Sequence, residues 1–182
     1  MMKHQAVSRQ YAAALFQIAE EQNIIDEIAG DLRTVRDVFQ SVPDLRKALH
    51  SPAITKDKKK EWLRSAFSGL SPYVVNMLQL LIDKRRIDIV IPLIDHYIEL
   101  SYEKKGIAPV IVESVRPLKS EEQEALSSVF AKRINKKSLK IDNRINTDLL
   151  GGIRIHYRNR IFDGSLQGKL ERLRRELAGY HS

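Results

Sequence analysis

The chain has 182 residues, a formal net charge of +8, 43% hydrophobic and 30% charged residues, enough apolar material for one large domain or two small ones and too much for a disordered chain. It contains no cysteine, which excludes disulfides, thiolate nucleophiles and sulfur-ligated zinc. Its longest apolar stretches, such as Ile89-Val90-Ile91-Pro92-Leu93-Ile94, fall far short of the roughly 20 residues a bilayer-crossing helix needs, so any membrane association is expected to be indirect.

From Val7 to about Ile107 apolar residues recur at helical spacing. Tyr11, Ala14, Leu15, Ile18 and Ala19 form the stripe of a first helix that Gln22-Asn23 closes. The opening residues Met1 to Gln10 have neither an apolar core segment nor a cleavage site, which fits a cytoplasmic chain without a targeting sequence. A second helix runs through Ile28, Leu32, Val35 and Phe39, and Pro43 suits the first turn of a short third one over Leu45 to Leu49. Thr55 and Asp57 open a fourth, through Trp62, Leu63 and Phe67 to Gly69. Ser71-Pro72 reads as an N-cap and a first-turn proline before a fifth, Tyr73 to Lys84. Val74, Val75, Met77, Leu78, Leu80, Leu81 and Ile82 make that fifth helix apolar nearly all round, so it should be covered on every side. Either it is the centre of a bundle, or one of its faces meets a partner helix. A sixth, Arg86 to Lys105, passes Pro92 and should kink or start late there.

At Gly106 the pattern changes. Ile107, Val110, Ile111, Val112 and Val115 are strand-like; Ser120 with Gln123 suggests a capping box for a helix through Leu126, Val129 and Ile134. Leu139 to Asp142 and Ile153 to Tyr157 alternate as strands do, and Arg158-Asn159-Arg160 makes a tight turn into Ile161-Phe162. A last helix follows Asp163-Gly164-Ser165, with Leu166, Leu170, Leu173 and Leu177 on one face. The expected fold is therefore α+β, a six-helix bundle over residues 1–105 followed by a small α/β domain over 106–182. Most of the basicity lies in the second part, where 15 Lys and Arg face 9 Asp and Glu.

No catalytic constellation emerges. Gly164 to Leu170 has three residues between its glycines and Leu after Lys169, where a phosphate-binding loop needs four and Ser or Thr. The histidines His4, His50, His96, His156 and His181 stand singly, without metal-ligand spacing. Neither an enzyme active site, nor a metal, nor a cofactor is expected. Lys56 to Lys60 and the cluster Lys132, Arg133, Lys136, Lys137 and Lys140 could meet phosphates, so a nucleic-acid-binding adaptor is the alternative reading. The aromatics of a single-strand platform are missing from both.

Ser8-Arg9-Gln10-Tyr11-Ala12-Ala13-Ala14-Leu15-Phe16, Leu45 to Pro52 and Leu81-Ile82-Asp83-Lys84-Arg85-Arg86 resemble motifs of the ATP synthase delta family, which includes the mitochondrial oligomycin-sensitivity-conferring subunit. More specific are Ile145-Asn146-Thr147-Asp148-Leu149-Leu150-Gly151-Gly152-Ile153-Arg154-Ile155, Asp163-Gly164-Ser165 and Leu170-Glu171-Arg172-Leu173. Asn146 departs from the family's usual Asp without evident structural consequence, and Tyr157-Arg158 from a common apolar residue and Gly. The resemblance implies a non-catalytic stator subunit, peripheral on the cytoplasmic face of a bacterial plasma membrane. Its helical domain would receive an N-terminal helix of the alpha subunit in a groove between helices one and five. Tyr11, Ala14, Leu15, Ile18, Asn76 and Leu80 are the groove candidates. The second domain would hold the C-terminal end of the b subunits, and no nucleic acid would be involved. Gly151, Gly152, Asp163, Gly164 and Ser165 are fold positions: a close backbone approach and the amides at the last helix's start.

Overall fold

The structure, a computed structural model, describes residues 2–166 and 168–170. Leu173, Leu177 and His181, along with Glu171 and Arg172, lie outside them. The chain is mixed α+β and divides into two compact units, Met1–Ser101 and Tyr102–Ser182.

The first unit runs α1 (Met2–Glu21), α2 (Ile25–Ser41), α3 (Pro43–His50), α4 (Lys56–Ala66) and α5 (Pro72–Asp83). A 3-10 turn at Ile87–Ile89 then leads into α6 (Val90–Lys105), within which the two units divide. Local chemistry sets the ends. Asn23 adopts φ 59° after α1, a conformation Asn tolerates better than most side chains. Pro43 opens α3, and Thr55 Oγ1 accepts the Lys58 amide at 3.4 Å at the start of α4. Ser71 precedes α5 as expected, but its side chain makes no capping bond. Its amide instead donates to Asp31 Oδ2 at 2.7 Å, tying the start of α5 to α2. At Pro92 the late start is realised: α6 begins at Val90, so the proline sits in the first turn, where an amide has no helical acceptor to lose.

All these helices contribute to one core, in which Leu15, Ile28, Leu32, Leu63, Leu81 and Ile94 are essentially inaccessible. Tyr97 is buried among them with Phe16 edge-on at 5.7 Å, and its hydroxyl donates to the Ile25 carbonyl at 3.2 Å. Burial, aided by the charge of Asp26, pushes the phenol's pKa well above its ordinary value.

The second unit contains β1 (Ile107–Ser114), α7 (Ser120–Arg133), β2 (Ser138–Ile145), β3 (Ile153–Tyr157) and β4 (Arg160–Asp163). The sheet order is β2-β1-β3-β4, with β1 and β2 parallel and the other neighbours antiparallel. A parallel pair needs a crossover, and α7 provides it. One sheet face carries Ala108, Val110, Val112 and Ile155, all buried and clustered with Phe130 of α7, whose ring meets Phe162 edge-on at 4.9 Å. Pro109 sits in central β1, but there β1 pairs with β2 alone, because its register with β3 covers Ile111 to Ser114.

Two further details differ from the sequence reading. The residues Arg160 to Asp163, read as a turn into a short apolar pair, form the fourth strand. The capping contact of α7 is one residue earlier than Ser120 and Gln123. Glu122 accepts the Lys119 amide at 2.9 Å, while Gln123 donates to the Leu118 carbonyl at 3.0 Å. Charge decides this: Arg116 grips both oxygens of Glu122 at 2.7 and 2.9 Å, and an ionised acceptor outcompetes a neutral amide. Arg116 and the Lys119 amide together hold the Glu122 carboxyl down at about 2.

Candidate partner-binding faces

Five of the six groove candidates lie at the surface of the first unit. On α1, Ala14 is exposed, Ile18 is 38% exposed and Tyr11 is half-buried, a stripe at i, i+3 and i+7. On α5, Tyr73 and Leu80 are each 38% exposed and Asn76 is exposed, again at i, i+3 and i+7. Leu15 differs: at 1% exposure it is a core residue and lies beneath this surface. Arg86, just past α5, reaches back to α1, its guanidinium 6.0 Å from the Tyr11 ring centre and 3.4 Å from the hydroxyl. Of the two readings of α5, the one that makes it the fully covered centre of a bundle is corrected, and the one that leaves a face for a partner stays open. Val74, Val75, Leu78, Leu81 and Ile82 fill the core, and the Tyr73, Asn76 and Leu80 side stays open. Apolar residues all round a helix conceal which face is left uncovered, and only the polar Asn76 marked it.

In the second unit the sheet face opposite α7 carries a row of charges. Glu113, Arg154 and Asp163 stand directly opposite one another on β1, β3 and β4. Arg154 donates to Asp163 Oδ2 at 3.2 Å through two nitrogens and approaches Glu113 Oε2 at 3.5 Å. His156 Nε2 lies 3.0 Å from Glu113 Oε1, an ion pair when the ring is protonated. Asn146 donates its amide to Glu113 Oε2 at 2.9 Å and accepts the Asp148 amide at 3.0 Å. The Asn146 bond is the main reason the Glu113 carboxyl is held below the usual carboxylate range, with His156 and Arg154 adding to it.

Asp163 is depressed chiefly by Ser165, first through its hydroxyl and then through its amide, which donates to Oδ1 at 2.8 Å, and further by Arg154. Ser165, fully buried, accepts the Gly168 amide on Oγ at 3.1 Å, and the Gly164 amide bonds the Ile153 carbonyl at 3.0 Å. Gly152, at φ +80°, lies so close to this turn that a Cβ there would sit 2.6 Å from the Gly164 carbonyl oxygen. Gly151, at φ +143°, bonds the Leu166 amide through its carbonyl at 3.1 Å. Glu113 and Arg154 were missed by the sequence reading; the only signal was a lone charge in each of two β-rich segments.

The Lys56 to Lys60 run is largely spent inside its own unit. Lys56 donates to the Asp83 carbonyl at 2.9 Å, Lys59 to the Ser51 carbonyl at 2.7 Å, and Lys60 pairs with the Asp83 carboxylate at 2.6 Å. In the other basic cluster Arg133 lies 5.4 Å from the Phe162 ring centre. Among the described residues, no three acidic or histidine side chains converge as a metal site would need, and no helix is long and apolar enough to cross a membrane.

One unit leaves apolar side chains open on two of its helices, the other is a small sheet braced by charges, and among the described residues neither gathers a metal-binding cluster. The family model for the ATP synthase delta (OSCP) subunit matches residues 7–177. Relatives described as ATP synthase subunit delta include one from Anoxybacillus flavithermus, 44% identical over 176 residues, covering 97% of this chain and 99% of that protein. One from Priestia megaterium is 40% identical over 181 residues and matches both chains along their full length. A chain in the cryo-EM structure of the Toxoplasma gondii mitochondrial ATP synthase hexamer shares the fold, with TM-score 0.71 and 20% identity over 94% of this chain and 97% of that one. The chain belongs to the ATP synthase delta (OSCP) subunit family, and as such is a stator component, part of the peripheral stalk of an F-type ATP synthase.

Proposed function

We infer that the first unit is a six-helix bundle whose α1 and α5 surface receives an N-terminal helix of the ATP synthase alpha subunit. The second unit, in this reading, holds the C-terminal end of the b subunits. The observation that carries it is the pair of open stripes, Tyr11, Ala14 and Ile18 on α1 and Tyr73, Asn76 and Leu80 on α5. An amphipathic helix laid along them would bury its own apolar face at i, i+3, i+4 and i+7 positions. The excess of 15 basic over 9 acidic residues after Lys105 suits an acidic or mixed helical partner for the second unit. Assembled this way, the protein lies at the cytoplasmic face of the bacterial membrane, associated through the complex, and performs no chemistry itself.

Mechanically its work is to resist. Rotation driven by proton flow delivers torque to the catalytic head, and a head that turned with the rotor would waste the gradient. A holder must therefore stay bound, which calls for nanomolar affinity, about -12 kcal/mol. Ala14→Asp tests the face directly, because it sets a charge against the incoming apolar helix at a cost of about 2 kcal/mol or more. Titration of the full chain with an alpha N-terminal peptide should show at least a ~30-fold weaker complex; unchanged affinity in a folded variant would remove the face assignment. Addition of the wild-type chain to membranes stripped of it should restore coupled ATP synthesis.

A further inference from the structure

A second site lies elsewhere on the first unit. Between the start of α4 and the segment after α5 is a cavity of about 410 Å³, within the size range of small-molecule pockets. Leu49, Ile54, Ile82 and Ile87 form its apolar lining. Lys56, Lys59 and Arg85 also line it, against the single carboxylate of Asp88, which has an interaction of its own.

Lys59 is the informative residue. It is 9% exposed, and its one hydrogen bond among the described residues is to the neutral Ser51 carbonyl at 2.7 Å. An ammonium has three donors and a full charge, and burial without a counter-ion is costly. The Asp83 carboxylate, at the end of α5, is paired with Lys60 at 2.6 Å. Arg85 likewise has no ion pair among the described residues, although φ 55° holds its backbone in a left-handed conformation at the cavity's edge. An anion entering here would meet the buried Lys59 ammonium and the exposed Arg85 guanidinium, neither ion-paired among the described residues, and its remainder would rest on aliphatic side chains.

We propose that this cavity is a binding site for a small amphipathic carboxylate, its charged end between Lys59 and Arg85 and its apolar body against Leu49, Ile54, Ile82 and Ile87. The site is separate from the α1 and α5 stripes, since it shares none of Tyr11, Ala14, Ile18, Asn76 or Leu80.

The test is a methyl-detected NMR titration of the full chain with octanoate below its micelle concentration, run beside octanol and inorganic phosphate. Octanoate should shift the methyls of Leu49, Ile54, Ile82 and Ile87, and should bind about tenfold more tightly than octanol or phosphate. Arg85→Asn, which keeps a side chain tolerant of the left-handed backbone, should weaken octanoate about tenfold by removing a charge-assisted bond. Lys56→Gln should weaken it less, and Ala14→Asp should leave it unchanged. The site is wrong if octanoate leaves those methyls unmoved at millimolar concentration, or if octanol binds as well. It is equally wrong if neither charge variant changes the affinity of a folded protein, or if the shifts fall on Ile18 and Leu80.

Discussion

The two units are held together by different physics. The first has a continuous apolar core drawn from every helix, with its polar contacts mostly at the surface. The second has a small core, Ala108, Val110, Val112, Phe130 and Ile155, and relies on polar bracing instead. Besides the Glu113, Arg154 and Asp163 row, Asn143 donates to the Val112 carbonyl and Ser114 Oγ at 2.9 and 2.8 Å and accepts the Leu118 amide at 2.8 Å. A large core tolerates loss at any one point in proportion to volume, whereas a braced sheet fails where geometry or charge is disturbed. The difference suits the tasks proposed for them: a stiff helical platform with one face open, and a compact clamp whose shape is set by hydrogen bonds.

The sole tryptophan, Trp62 on α4, makes the comparison measurable, because its fluorescence reports the first unit. The largest effect is expected for Leu81→Ala, which opens a hole at a side chain with 0% exposure and should cost about 3–4 kcal/mol in the denaturant transition seen by Trp62. Gly152→Ala comes next. Its Cβ would sit 2.6 Å from a backbone oxygen at φ +80°, so the second unit should lose about 3 kcal/mol. That loss should appear in the backbone amide exchange of β3 and β4, with the Trp62 transition in place. A Trp62 midpoint that moved as far in Gly152→Ala as in Leu81→Ala would mean the units unfold as one, and the contrast drawn here would fail.

Acid should separate the units next. Glu113, Glu122 and Asp163 have folded-state pKa values below their unfolded ones, so each stabilises the fold when ionised. That contribution is complete above the ordinary carboxylate range and disappears as pH falls through the folded values, down to about 2 for Glu122. The protection of second-unit amides relative to their intrinsic exchange rates should therefore fall between about pH 5 and pH 2 before the Trp62 signal changes. Loss of the Trp62 signal first would contradict it.

The same contrast explains what could be read from the sequence. Helices of the first unit announce themselves through period and punctuation, as Pro43, Thr55 and Pro72 do, because local residues set local ends. Which side of α5 stays open is a property of the whole unit, and Leu80 looks no different from Leu81 in the sequence. In the second unit β4 is four residues long, too short for alternation to register, and the parallel pairing of β1 with β2 has no local sign. Glu113 and Arg154 are 41 positions apart, so their pairing exists only once the strands are in register. The candidates Gly152, Asp163 and Ser165 were readable through resemblance, while the reason for them, a turn packed against Gly152, needed coordinates.

Asn146 yields the smallest effect and the sharpest test of the bracing. Against the family's usual Asp it is a nearly isosteric exchange, yet its Nδ2 donates to Glu113 Oε2 at 2.9 Å, a bond that a carboxylate has no proton to make. Asn146→Asp would replace a donor by a like charge while leaving the Asp148 amide its acceptor at 3.0 Å. The expected cost at neutral pH is about 1–2 kcal/mol, confined to the second unit. Glu113 should then titrate higher than in the wild type, since its largest stabilising contact has become repulsive. The deficit should shrink as pH drops and the two carboxyls take up protons, so wild type and variant should converge in acid. A pH-independent deficit would assign the loss to the shape of the turn around Asn146, and the charge row would then be a minor brace.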